Sequence, residues 1–209
     1  MRRYGKEAAT LIIASMLLLL PSVCCAADSP PGKSPYAGIL QFDDSNWTLY
    51  KNDQEGYCLK LPLQLQVYLH KRRDMQEAIE NRLPFEYVNF RPAQASGGLE
   101  PFELGVGVHW NRDTLGTREF ADKKDEGLVK SGAQIVTIRQ TEVIVAGIKG
   151  VRDDFRMKQP DGWRSYSRVI IPRKDTFFVF LGTLGSEKAV PAYEDVFKKI
   201  VESFELAGP

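Results

Sequence analysis

From residue 47 onward apolar and polar positions mostly alternate with period two, the signature of strands that bury one face. Residues 47–50 and 57–61 read as short strands around the polar turn Asn52-Asp53-Gln54-Glu55-Gly56. Pro62 ends the second strand, and residues 63–69 alternate again. In the charged stretch 72–83 only Met75, Ala78 and Ile79 form a narrow apolar stripe, which fits either a short helix or a loop. Residues 85–90 and 102–110 read as strands on either side of a loop at 92–98. In the second of these, Phe102, Leu104, Val106, Val108 and Trp110 share one face.

Helical spacing occurs twice. Residues 118–131 place Phe120, Ala121, Lys124 and Leu128 on one face, with Thr117 as the expected N-cap and Gly132 as the stop. Near the C-terminus Val190, Tyr193, Val196, Phe197, Ile200, Val201 and Phe204 form the strongest stripe, and Pro191 suits its first turn. Between the helices lie apolar runs at 134–146, 148–158, 163–172 and 176–184. The breaks between them, at Gly147, Pro160-Asp161-Gly162 and Arg173-Lys174-Asp175, are short enough to make consecutive antiparallel hairpins. The last helix should cover this sheet, resting either on Phe177, Val179 and Leu181 or on Phe178 and Phe180. Strands, helix, hairpins and helix in that order describe an α+β fold, an antiparallel β-sheet flanked by helices.

Upstream the pattern changes. Arg2, Arg3 and Lys6 precede an apolar run at 11–20 broken only by Ser15; it is too short to span a bilayer, which takes about 20 residues, and Pro21 follows it. With the small residues Cys24-Cys25-Ala26-Ala27 after it, segment 1–26 reads as a cleaved signal peptide. The adjacent cysteines leave a lipoprotein leader open, in which Cys24 or Cys25 would carry a lipid anchor; Val23 and Pro21 fit that pattern poorly. Segment 27–46, with its run Asp-Ser-Pro-Pro-Gly-Lys-Ser-Pro, reads as a flexible linker, and 47–206 as one domain. The expected location is therefore outside the cytoplasm, in the periplasm or tethered to a membrane.

Composition narrows the partners. The 209 residues suit one globular domain, and 28 basic against 27 acidic residues provide no clustered positive charge for nucleic acid, so none is expected as a partner. The leader's Arg2, Arg3, Lys6 and Glu7 carry +2 of the total of +1, so the mature chain stands near −1. Cys58 alone survives cleavage, and it reads as a small buried hydrophobe in a chain with no internal disulfide.

The order of elements then matches a known pattern. It comprises the aromatic strand Gly56-Tyr57-Cys58-Leu59-Lys60-Leu61-Pro62 opening the sheet, a helix ending at Gly132 and paired strands around Val145-Ala146-Gly147-Ile148-Lys149-Gly150. Two hydrophobic strands and the final Ile200-Val201-Glu202-Ser203-Phe204 complete it. Over residues 47–206 this resembles the Mog1/PsbP-like family, particularly exported bacterial PsbP-like proteins and DcrB-like lipoproteins. The resemblance implies an α-β-α sandwich, and binding or assembly work in place of catalysis. In that family the plant member supports the oxygen-evolving photosystem and the eukaryotic relative binds a small GTPase. None of their functional residues maps onto this chain, so a photosynthetic role is not carried over. The expectation is a non-enzymatic module of the cell envelope with a protein partner. The alternative is a binder of a small lipid or anion, held in an apolar pocket between sheet and helix.

The scarce titratable residues agree with that expectation. His70, beside Lys71-Arg72-Arg73, and His109, between Val108 and Trp110, belong to no metal-binding or catalytic spacing and read as surface strand positions. Asp153 and Asp154 are adjacent on a strand, so they point to opposite faces and read as salt-bridged or solvated surface charge. Gly105-Val106-Gly107 lies inside a strand, where it cannot act as a phosphate loop, and no Gly-x-Ser-x-Gly elbow occurs. No catalytic residue, cofactor or metal is expected. One candidate binding row remains: Arg164, Tyr166 and Arg168 should share a sheet face and could hold an anionic ligand or partner, or else form a solvated outer face.

Overall fold

A computed structural model describes residues 38–81, 83–93 and 99–206; the expected signal peptide and residues 27–37 of the expected linker lie outside them. The described elements are β1 (Trp47–Asn52), β2 (Tyr57–Pro62), β3 (Leu65–Arg72), α1 (Met75–Asn81), β4 (Glu86–Pro92), β5 (Glu103–Trp110) and α2 (Thr117–Lys130). After them come β6 (Ile135–Val145), β7 (Ile148–Gln159), β8 (Gly162–Arg173), β9 (Thr176–Thr183), α3 (Val190–Glu202) and β10 (Glu205–Leu206). The expected hairpins form: β6, β7, β8 and β9 pair antiparallel in sequence order, and β5, β4 and β3 extend the sheet beyond β9 to seven strands.

The ambiguous stretch after β3 resolves into α1. Asp74 starts it, because its Oδ1 accepts the N–H groups of Gln76 at 2.8 Å and Glu77 at 3.3 Å. For α2 the expected cap is corrected. Thr117 is already helical, the N-cap is Gly116, and no side chain caps this end.

β1 and β2 do not open the main sheet. They pair with each other and with β10 in a separate three-stranded sheet, in which Glu205 stands opposite Cys58. The reason is the apolar face of β2: Tyr57, Leu59 and Leu61 are buried, and the Tyr57 ring lies 5.5 Å from Phe178 and 5.8 Å from Phe204. A strand that lays its face on the main sheet cannot also join its edge. The packed chain also begins upstream of the expected boundary at 47. Phe42 packs its ring 5.0 Å from Phe102, and the Leu40 N–H donates to the Tyr193 hydroxyl at 2.9 Å.

Each face of the seven-stranded sheet has its own cover. On one face Val88, Phe90, Leu104, Val106, Val108, Val169, Ile171, Phe178 and Phe180 form the main core with α3 and the small sheet. On the other, Val151, Ile170, Phe177 and Val179 meet Phe120 and Ala121 of α2. The final helix thus rests on Phe178 and Phe180; the Phe204 ring just beyond it lies 5.2 and 5.1 Å from theirs. Seven of the eight residues of β5 are buried because this central strand is covered on both sides.

Candidate functional site

Arg164, Tyr166 and Arg168 do share one face of β8, the face that α2 crosses, but that face is not solvated. Tyr166 stacks on Phe155 with centroids 5.3 Å apart, and its hydroxyl accepts a hydrogen bond from Gln159 at 3.3 Å. Arg164 reaches Asp161 at 2.5 Å. Arg168 is only 2% exposed, and its guanidinium is met inside the fold: Nε and Nη2 lie 3.1 and 2.7 Å from Asp153 Oδ2, and Nη2 lies 2.8 Å from Asp125 Oδ1. One cation between two carboxylates leaves this spot with an excess of negative charge.

The neighbouring titratable residues sort accordingly. Asp153 and Asp154 take opposite faces, as expected, but Asp153 is fully buried and not a surface charge. Asp154 receives Arg139, Arg152 and the Ser167 hydroxyl on the α3 side, where Arg152 also reaches Glu194 at 2.6 Å. His109 is likewise corrected from surface to interior. It packs 5.8 Å from Phe120, with Lys124 Nζ 3.2 Å from its Nδ1. Burial first, and then the cations Lys124, Arg73 and Arg168, hold its pKa well below the usual 6.5, so the ring is neutral near neutral pH. His70 is exposed, 3.6 Å from Glu86, and Cys58 is half-buried with Sγ 3.9 Å from Glu205.

Beyond Asp125, α2 and β6 enclose a groove of about 470 Å³ lined by Asp122, Asp125, Glu126, Val129, Lys130, Ile135 and Thr137. Its floor is apolar and its α2 wall is acidic. Desolvation raises the pKa of Asp125, and Arg168 partly offsets the rise. Asp122 leans toward β6 and accepts from Gln140 at 3.4 Å; Glu126 pairs with Lys130 at 3.3 Å. Val129, which the helical stripe leaves outside, is 56% exposed; along β6, Val136 on the face away from α2, Ile138 at the bulge and Ile144 on the α2 side are 49, 60 and 71% exposed. Among the described residues no strand pairs with the outer edge of β6. Its regular ladder is interrupted once, by a bulge between Thr137 and Arg139.

This groove was not among the sequence expectations. The signal existed in Val129, an apolar residue off the stripe of its helix, and in Ile135 on a strand whose position in the sheet was unknown. The expected alternative, an apolar pocket between sheet and helix, meets a space filled by Phe178, Phe180, Phe197 and Phe204, each at most 1% exposed. Among the described residues no group of three or more His, Cys, Asp or Glu side chains is arranged to hold a metal ion, and no helix is long and apolar enough to cross a membrane.

No family sequence profile matches this chain, and no curated protein matches it by sequence. Solved structures do match by shape. The solution structure of cyanobacterial PsbP (CyanoP) from Synechocystis superposes with a TM-score of 0.56 at 14% identity, over 87% of this chain and 98% of that one. The Saccharomyces cerevisiae Ran-binding protein Mog1p superposes with a TM-score of 0.54 at 11% identity, over 78% and 96%. A Pseudomonas aeruginosa protein of unknown function, PA94, gives 0.52 at 13% identity, over 78% and 98%. At such identities the likeness speaks for architecture alone. With the antiparallel sheet, the covering helices and their order as described, the chain has the Mog1/PsbP-like α+β fold.

Proposed function

We propose that this protein is an exported, non-enzymatic module of the cell envelope that works by docking another protein. One observation carries the reading: the outer edge of β6, which no strand among the described residues pairs, presents Ile138 at its bulge and Ile144 near its end to solvent, with Val129 and the acid-walled groove flanking its first residues. Exposed apolar side chains along an open strand edge mark an interaction surface, because an edge left to itself invites pairing. Mog1p, a protein of the same fold, is a binder of another protein, Ran. The basic residues Arg2, Arg3 and Lys6 ahead of the apolar run support export, with the mature protein free in the periplasm or held by lipid at Cys24 or Cys25.

A photo-activated cross-linker placed at Ile138 tests the docking surface, with a second at Leu49 on the small sheet as the control. A discrete adduct from Ile138 in intact cells and none from Leu49 is the expected result; identical adduct patterns, or none from Ile138, would overturn the reading. Fractionation with intact-mass measurement tests export. Full-length protein confined to the cytoplasm would end that part of it.

A further inference from the structure

The geometry points to the occupant of the β6 edge: an extended strand of a partner protein that carries Lys or Arg at alternate positions and adds to the sheet beside β6. This deepens the proposed function and rests on it.

The backbone supplies the first half of the argument. β6 and β7 are joined by the two-residue turn Ala146-Gly147, both at positive φ (49° and 75°), with Val145 opposite Ile148. In such a turn the flanking pair is hydrogen-bonded. By antiparallel alternation Val145, Val143, Thr141 and Arg139 therefore bond inward to β7, while the backbone groups of Gln140, Glu142 and Ile144 point out of the sheet. Three successive outward residues, ending at the bulge, offer a regular ladder for one added strand.

Charge supplies the second half. Gln140 stands opposite Asp153, and Asp153 shares the face of Arg168, so Gln140, Glu142 and Ile144 present their side chains on the α2 side. An added strand would therefore place every second side chain against the flank of α2. Around that line stand the carboxylates Asp122, Asp125, Glu126, Glu142 and Asp153 and the cations Arg118, Lys130, Lys149 and Arg168, an excess of one negative charge. Lys or Arg fits beside Gln140, since its ammonium or guanidinium meets Asp122, which already accepts from Gln140; a carboxylate is repelled. On the opposite side of the sheet Arg139 is already engaged by Asp154 and Glu194, so no comparable call for charge exists there. A second copy of this chain is a poor occupant, because edge-to-edge pairing would bring two acidic α2 flanks together.

The probe is a synthetic peptide of about nine residues alternating Lys and Val, compared with its Glu-for-Lys counterpart, titrated into the isotope-labelled mature protein. The Lys peptide should move the amide signals of Gln140, Glu142 and Ile144 and slow their hydrogen exchange. The Glu peptide should bind about tenfold more weakly or worse, and raising salt from about 0.05 to 0.5 M should weaken the Lys peptide. Asp122→Lys should lower its affinity by about tenfold, and so should Gln140→Pro, which removes one outward N–H and leaves the inward ladder intact. If Gln140→Pro fails to fold, slowed exchange at the three outward amides of the wild type replaces it as the criterion. Equal binding of the two peptides, binding without protection of those amides, or self-association that Asp122→Lys strengthens would each overturn the inference. The two readings separate cleanly: an Ile138 adduct in cells with no Lys-peptide binding sinks the occupant and keeps the docking surface, whereas loss of both sinks the surface itself.

Discussion

The ring of Phe197 on α3 fills the space where a side chain on Gly182 of β9 would stand: a Cβ built on that glycine would lie 2.5 Å from Phe197 Cδ2. The helix comes this close to the sheet because β9 offers no side chain there. Gly182→Ala should therefore force α3 outward and cost about 1–3 kcal/mol, read as a lowered thermal midpoint. Pairing it with Phe197→Leu should recover part of the loss, and no recovery would mean that the strain lies elsewhere.

Phe204 sits where the helix, the small sheet and the main sheet meet, 1% exposed against Tyr57, Phe178 and Phe180. Phe204→Ala should cost about 3–5 kcal/mol, a large share of the 5–15 kcal/mol typical of a domain. An unchanged urea midpoint would contradict its place in the core.

Arg168 and Asp153 form a buried pair whose members are 2% and 0% exposed. Arg168→Met keeps much of the volume but leaves the Asp153 carboxylate without its cation, so a loss of about 3–5 kcal/mol is expected. Adding Asp153→Leu to Arg168→Met should restore much of it. A single variant as stable as the wild type would show that the pair contributes little.

His109 makes stability depend on pH. Its folded pKa lies well below 6.5, so the unfolded chain binds the proton more readily, and stability must fall as pH drops below about 6.5. Glu55, Glu103 and Asp125, whose pKa values are raised mainly by burial, act in the opposite direction at lower pH. Comparing wild type with His109→Gln isolates the histidine. Between pH 7.5 and 5.5 the wild type should lose up to about 1.4 kcal/mol per pH unit more than the variant. Parallel curves would mean that His109 titrates normally.

The sequence by itself determined every element whose evidence lies in its own neighbours. The stripe from Val190 to Phe204, the turn-marked hairpins from β6 to β9 and the opposite faces of Asp153 and Asp154 were all legible, because helical and strand periods repeat within a few residues. The candidate row Arg164, Tyr166 and Arg168 was legible as a shared face for the same reason.

Only the tertiary structure decided what lies on top of each face. Period two shows that the two sides of β8 differ, but it cannot show that α2 crosses one of them and brings Asp125 onto Arg168 and Phe120 onto His109. Nor can it show that β2 lays its apolar face on Phe178 and so leaves the main sheet to end elsewhere, or that β6 becomes the last strand of the sheet among the described residues and β5 a strand covered on both sides. Those outcomes depend on contacts between residues far apart along the chain. Burial, and with it the charge state of His109 and the partner of Arg168, is set by whichever distant layer covers most apolar surface, and a local pattern contains no record of that choice.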